Sequence, residues 1–202
     1  MLLLAGCGSG KDSADLEGAR AAKRVDREVA KAKLARAGTW GHYSGPIDTR
    51  WENDGLTMVL LNELRYTDPY GEVWVASAGS RVNGASIPRV FWTMIGGPFE
   101  GKYRNASVLH DVAYEQQTRP WQEVDRMFYN AMRCSDVGAL TAKTMYYTLV
   151  RHGRHWKHPK AEASASGSAA SPAPADDEIQ NWIKTYDPSL DQIDAMARGE
   201  TR

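Results

Sequence analysis

The chain has 202 residues, equal numbers of basic and acidic side chains, and 42% hydrophobic residues. This length fits one domain of ordinary size with flanking segments. The zero formal net charge argues against a dedicated nucleic-acid-binding protein. No continuous apolar stretch reaches the roughly 18 residues that a transmembrane helix needs.

The N-terminus reads MLLLAGCGSG, a short apolar run that ends in Leu-Ala-Gly-Cys. This pattern resembles the lipobox of bacterial lipoproteins, in which the signal peptide is cut before a cysteine that then carries lipid. The resemblance implies a partial signal over 1–7, a lipidated Cys7, and anchoring in the bacterial cell envelope, on the periplasmic face of the outer membrane. The alternative is a chance apolar N-terminus, because the run is short and lacks a basic start. If Cys7 is lipidated, Cys134 has no intrachain disulfide partner and is expected to be a buried apolar thiol.

Residues 8–38 are rich in Ala, Lys, Arg and Glu with a weak apolar stripe, which predicts a charged helical stalk or a disordered linker. A globular domain is expected over 39–158. It is followed by an Ala/Ser/Pro linker over 159–176 and an acidic tail over 177–202 with one short helix.

Within the globular domain, strand formers flank the turn TDPYGE, which predicts a β-hairpin over 56–82. An earlier strand is expected near 39–51. Apolar periodicity predicts helices at about 104–117, 120–133 and 139–152, with Pro120 at one start and Gly153 at one end. The predicted fold class is therefore α+β, with a small β-hairpin or sheet packed on three helices.

The segment NASVLHDVAYEQQ carries the candidate chemistry. His110 and Tyr114 are four residues apart and share one helix face, whereas Asp111 lies at its edge. Asp125 flanks the apolar stripe of the next helix, and the short connection predicts antiparallel packing that brings it near His110. A carboxylate bonded to one imidazole nitrogen leaves the other free as a base. The alternative is a polar pair with a structural or surface role.

Upstream, Asn83 and Gly84 lie in a predicted turn after a strand. Ca²⁺ prefers carboxylate, amide and carbonyl oxygens, so this turn and Asp111 are candidate metal ligands. The alternative is that Gly84 and Pro88 only shape a loop. Ser86 is interpreted as a turn residue, because the Gly-x-Ser-x-Gly context of a nucleophile elbow is missing.

The blocks NGASIPR, LHDVAY and VDRMFYNAM together resemble domain of unknown function 1353, a bacterial and phage family, over about 45–153. A more distant resemblance is to secreted bacterial phospholipase A2. It is carried by His110-Asp111-x-x-Tyr114 on one helix and by Val-Asp125-x-x-Phe-Tyr-x-x-Met on the next.

The phospholipase resemblance implies a phospholipase A2-like helical core and a role for each matching residue. His110 is implied as general base, Asp125 and Tyr114 as its supporting catalytic residues, and Asp111, Asn83 and Gly84 as Ca²⁺ ligands. The sequence departs from that family in having Asn83 in place of an acid, Ala85 and Ser107 in place of a disulfide, and an added hairpin.

Two functions follow from these resemblances. The first is a lipid-anchored, Ca²⁺-dependent lipid esterase that acts on phospholipid, with the basic segment 151–160 against anionic lipid or simply solvated. The second is a non-enzymatic phage- or envelope-associated lipoprotein that uses the same scaffold for binding. A phage lysis or superinfection factor is a variant of the second.

Overall fold

A computed structural model describes residues 39–84, 86–87, 97, 99–159 and 176–200. The predicted signal with Cys7, the stalk, and all but the two end residues of the predicted linker lie outside this part of the chain. In the described residues, no helix is both long enough and apolar enough to cross a membrane.

Six short strands in the described part of the chain form two antiparallel, three-stranded sheets. The first sheet has the order β1-β4-β5 and the second β2-β3-β6. The strands are β1 His42–Tyr43, β2 Thr49–Trp51, β3 Met58–Leu60, β4 Leu64–Thr67, β5 Val73–Ala76 and β6 Arg81–Val82. Buried residues alternate with exposed ones in β4 and β5, so each strand turns one face to the core.

The predicted turn joins β4 to β5. The Asp68 side chain accepts hydrogen bonds from the backbone N–H groups of Tyr70 and Glu72, and Gly71 adopts a positive φ of 86°. The wider prediction of one hairpin over 56–82 needs a correction. The segment contains four strands in two sheets, because the chain leaves the β3 ladder after Leu60 and returns to it only at β6.

Three helices form the larger part of the core: α1 Arg104–Gln116, α2 Trp121–Cys134 and α3 Ala139–His152. Each end lies within one residue of the predicted position. The apolar residues Val108 and Val112 of α1 and Val124 and Phe128 of α2 are buried, and the two helices pack on each other. Burying a side chain of this size contributes roughly 1.5–3 kcal/mol.

The tail contains two helices, α4 Asp176–Tyr186 and α5 Leu190–Ala197, where one was predicted. The missed helix begins with a capping box, in which Ser189 and Gln192 bond to each other's backbone N–H groups. Both helices pack on α3 and bury Ile179, Ile183 and Ile193.

In the described residues the fold is therefore mixed α/β, with two small sheets and five α-helices, in agreement with the predicted α+β class at this level. Helix α1 contacts α2 and also strands β5 and β6. This position brings the His110 segment between the second helix and the turn that follows β6.

Candidate active site

His110 and Asp125 meet in the core, between α1 and α2. His110 Nε2 lies 3.0 Å from Asp125 Oδ1, and both side chains are fully buried. An ionised carboxylate only accepts hydrogen bonds, so Nε2 carries the proton and the lone pair is left on Nδ1. The short link between α1 and α2 produces the predicted approach.

Tyr114 completes this buried network. Its hydroxyl donates to Asp125 Oδ1 over 2.7 Å. Burial, together with the neighbouring Asp125 carboxylate, raises the pKa of Tyr114, so the phenol stays protonated and remains a donor. Asp125 Oδ2 is buried without a hydrogen-bond partner among the described residues, which is a costly arrangement for a structural carboxylate.

Aromatic rings fix the orientation of the imidazole. The centroid of the His110 ring lies 4.1 Å from that of Tyr114 and 4.6 Å from that of Phe128. Trp156 packs edge-on against Tyr114 from the segment after α3. A base held in this way keeps one rotamer, and its free nitrogen points at a constant place.

Asp111 points away from His110, toward the turn after β6. Its Oδ2 accepts hydrogen bonds from the backbone N–H groups of Asn83 and Gly84, at 2.9 and 2.6 Å. Its Oδ1 accepts the N–H of Ser86 at 3.0 Å. Three N–H donors satisfy this nearly buried carboxylate and fasten the turn to α1.

This arrangement does not fit the predicted Ca²⁺ site. Asn83 and Gly84 present N–H groups to Asp111 rather than carbonyl oxygens, and the Gly84 carbonyl accepts a bond from Ile87. Ca²⁺ needs six to eight oxygen ligands. Among the described residues, no group of three or more His, Cys, Asp or Glu side chains is arranged to hold a metal.

Ser86 connects the buried network to the surface. Its Oγ lies 3.0 Å from His110 Nδ1, and its side chain is half-buried at the edge of a pocket of about 830 Å³. The sequence interpretation of Ser86 as a turn residue overlooked this contact. The only sequence signal was the position of Ser86 three residues after Asn83, in the turn expected to face Asp111.

The pocket is lined mostly by polar and charged described residues, among them Arg81, Glu115 and Arg154. Arg154 donates to the backbone carbonyl of Tyr114, which keeps its guanidinium beside the network. Arg81 pairs with Glu52, the residue that follows β2. The lining therefore holds both charge signs, and the charge of Arg81 is already paired with a carboxylate.

The basic segment after α3 folds back on the helices. The His155 ring stacks on Trp121 with 3.7 Å between centroids, and Trp156 donates its indole N–H to the Arg119 carbonyl. Part of this segment therefore buttresses the site. The sequence predicts that segment 151–160 is either a solvated helix exit or a lipid-facing surface. No local sequence pattern indicates the ring contacts of His155 and Trp156.

Residues 58–149 match the model of the DUF1353 family, whose description is "Protein of unknown function". The match confirms the predicted resemblance to this family over a narrower range than 45–153. The matched region contains the turn after β6, α1, α2 and most of α3. Asn83, Ser86, His110, Asp111 and Asp125 all lie within it, whereas the C-terminal helices do not.

Two uncharacterized proteins of Sinorhizobium fredii (strain NBRC 101917 / NGR234) are similar in sequence. Protein y4jT is 43% identical over 130 residues, which cover 63% of this chain and 38% of the relative. Protein y4iH is 31% identical over 103 residues, which cover 51% of this chain and 43% of the relative. The chain thus spans about two fifths of each relative. No solved structure matches the chain.

Proposed function

We propose that the protein is a carboxylic ester hydrolase in which His110 is the general base. The observation that carries the proposal is the direction of the two imidazole nitrogens. Nε2 is tied to the buried Asp125, and Nδ1 faces the turn at the edge of the pocket. A base oriented by a carboxylate beside a cavity is the arrangement that acyl transfer requires.

In this proposal His110 removes a proton from the attacking hydroxyl group through Nδ1. Asp125 stabilises the imidazolium that forms and holds the tautomer. Tyr114 keeps the Asp125 carboxylate in place. Asp125 and Tyr114 are therefore positioning residues, while His110 handles the proton. No step is assigned to Ca²⁺, because the donors around Asp111 do not fit it.

A phospholipid is the substrate that we propose to test first. Arg154 lines the pocket, and its guanidinium favours an ester with a negative charge, such as a phospholipid head group. The lipobox-like Leu-Ala-Gly-Cys of the N-terminus adds a reason for proximity to lipid. The distant resemblance to secreted bacterial phospholipase A2 supports the same substrate class.

The test is hydrolysis of phosphatidylglycerol vesicles and of a soluble short-chain ester by the wild-type protein and by His110→Ala. We expect His110→Ala to lower kcat/KM by roughly 10²–10⁴-fold. His42→Ala is the matched control, because His42 is exposed on β1 and does not line the pocket. A chelator arm tests the metal, and we expect it to leave the rate unchanged.

The proposal is contradicted if neither ester is hydrolysed above the buffer rate, or if His110→Ala and the wild-type protein have equal rates. Loss of activity with chelator, restored by Ca²⁺, would instead favour the metal-dependent mechanism of the phospholipase resemblance.

We further propose that Cys7 anchors the protein in the bacterial cell envelope, on the periplasmic face of the outer membrane. The support is the Leu-Ala-Gly-Cys sequence alone, since Cys7 lies outside the described residues. Mass spectrometry of the membrane fraction is expected to find a diacylglycerol-modified N-terminal cysteine. Cys7→Ser is expected to move the protein out of that fraction, and an unchanged distribution would contradict the anchor.

One observation favours the second candidate, a non-enzymatic phage- or envelope-associated lipoprotein. Both nitrogens of the fully buried His110 are bonded within the chain, and Asp111 is satisfied by the turn. The network therefore also fastens α1 to its neighbours. A marked loss of thermal stability in His110→Ala, together with no hydrolysis by the wild-type protein, would favour this function.

A further inference from the structure

The turn after β6 places a hydroxyl group at the one imidazole nitrogen that faces the pocket. Ser86 Oγ lies 3.0 Å from His110 Nδ1, and His110 Nε2 lies 3.0 Å from Asp125 Oδ1. The three side chains form a continuous chain of hydroxyl, imidazole and carboxylate. This is the order of nucleophile, base and orienting group in a hydrolytic triad. Such triads are recognised by their geometry and not by a particular sequence motif.

Burial decides which of these groups a substrate can reach. His110 and Asp125 are fully buried, whereas Ser86 is half-buried and lines the pocket. A water molecule attacking with help from Nδ1 would occupy the position that the Ser86 hydroxyl holds. Access to the base therefore runs through Ser86.

The position of Ser86 is fixed by its own backbone. Its N–H donates to Asp111 Oδ1, and the adjacent N–H groups of Asn83 and Gly84 donate to Oδ2 of the same carboxylate. Gly84 adopts a φ of +74°, which a glycine accepts readily at such a turn. Asp111 is thus a positioning residue that holds the serine against the base.

We infer that Ser86 is the nucleophile of the proposed hydrolase and forms an acyl-enzyme intermediate. Ser86 Oγ attacks the ester carbonyl carbon while its proton passes to His110 Nδ1. The carbon–oxygen bond to the alcohol breaks, and the alcohol leaves with the proton from Nδ1. Water then attacks the acyl group, gives its proton to Nδ1 and releases the acid, and the proton returns to Ser86 Oγ.

This inference deepens the proposed ester hydrolysis and rests on it, but it has a readout of its own. A fluorophosphonate probe bonds to an activated serine through phosphorus and releases fluoride. We expect intact-mass and peptide analysis of the labelled protein to find one adduct, on Ser86. The adduct should be absent in Ser86→Ala and His110→Ala, and present in Ser80→Ala, which changes a half-buried serine in the turn before β6.

The same variants are compared in ester hydrolysis. We expect Ser86→Ala to lose at least about 10³-fold in kcat, as removal of a triad nucleophile does. Thermal unfolding checks that Ser86→Ala is folded. Ser86→Cys is the second variant, and its thiol should be alkylated faster by iodoacetamide than the thiol of Ser86→Cys combined with His110→Ala.

The outcomes separate the two proposals. If Ser86→Ala keeps a rate that His110→Ala loses, water is the nucleophile, the inference is overturned and the proposed hydrolase stands. An adduct-free Ser86 in an active wild-type protein also overturns the inference. Labelling of Ser86 in a protein that hydrolyses no ester supports the activated serine and overturns the proposed function.

Discussion

Two aspartates of the site and two aspartates of the C-terminal segment 176–200 are held in opposite ways. Asp111 and Asp125 are buried and accept hydrogen bonds from backbone N–H, imidazole and phenol donors, with no formal cation bonded to either carboxylate in the described residues. Asp187 and Asp191 are about 85% exposed and pair with Lys143 and Arg126. Asp111 and Asp125 hold the donor groups of the site in one geometry, whereas Asp187 and Asp191 attach the C-terminal segment to the helices that carry Lys143 and Arg126.

The two modes have different energies. A buried carboxylate that loses its donors bears the full desolvation cost, and directed donors allow only one geometry. An exposed ion pair is screened by water and salt and typically contributes about 0–1 kcal/mol. The comparison therefore predicts that substitutions in the site have larger effects on stability than substitutions in the C-terminal helices.

The largest effect is expected for Asp111→Asn. The amide is isosteric but has only one oxygen, so its NH₂ group must face at least one backbone N–H of the turn. Each hydrogen bond to a charged group contributes roughly 1.5–3 kcal/mol. We therefore expect the free energy of unfolding to fall by about 2–3 kcal/mol. Chemical denaturation measures this change.

The matched control is Asp191→Asn, which changes an exposed carboxylate that pairs with Arg126. We expect it to alter stability by less than about 1 kcal/mol. Equal losses in Asp111→Asn and Asp191→Asn would contradict the division between the two groups of aspartates. An Asp111→Asn protein of wild-type stability would show that the N–H contacts of the turn contribute nothing.

A smaller effect is expected for Gly153→Ala, at the end of α3. A Cβ atom here would lie 2.4 Å from the Leu149 carbonyl oxygen and 3.1 Å from the Tyr114 hydroxyl. Relief of this overlap must shift α3 or Tyr114, at a cost of about 1–3 kcal/mol. Thermal unfolding measures the loss, and ester hydrolysis is expected to fall with it as Tyr114 moves from Asp125.

Gly45→Ala is the control for this prediction. A Cβ atom at Gly45 meets no other atom within 4 Å, and the residue lies far from the network in sequence. We expect its stability to stay within about 0.5 kcal/mol of wild type. If Gly153→Ala and Gly45→Ala behave alike, the close approach of α3 to Tyr114 has no role in the site.

Local signals in the sequence were sufficient for the helices and for the His110–Asp125 contact. Pro120 precedes the start of α2, and Gly153 follows the end of α3. The short link between α1 and α2 makes the two helices pack side by side, which brings Asp125 to His110. The direction of the backbone in the turn after β6 had no such signal. Whether Asn83 and Gly84 offer carbonyl or N–H groups depends on the positive φ of Gly84 and on tertiary contact with α1.

Docking of the tail depends on partners that are distant in sequence. The acidic tail sequence alone predicts a solvated stretch. In the structure Lys143 pairs with Asp187, and Arg126 pairs with Asp191 and Asp194. The second helix of the tail did carry a local signal in Ser189-x-x-Gln192, the capping box. The break between β3 and β4 carried none, because the apolar run continues through Leu61.

The smallest effect is expected for Asp187→Asn, and pH reveals it. Asp187 adopts a φ of 41°, a left-handed conformation that asparagine also tolerates, so the substitution changes the charge and spares the backbone. The hydrogen bond and charge of Lys143 lower the pKa of Asp187 below its ordinary value. Lys143 is itself nearly buried on α3, which ties its charge to this partner.

The sign of the pH dependence follows from that shift. A carboxyl group whose pKa is lower in the folded protein adds stability above its unfolded pKa of about 3.9, and the added stability is lost as pH falls through the folded value. We therefore expect the Tm of wild type to exceed that of Asp187→Asn at pH 6 and the difference to shrink as pH falls below the unfolded pKa. A difference in Tm that stays constant from pH 6 to pH 2 would show that the ionic pair with Lys143 does not hold the C-terminal helices on α3.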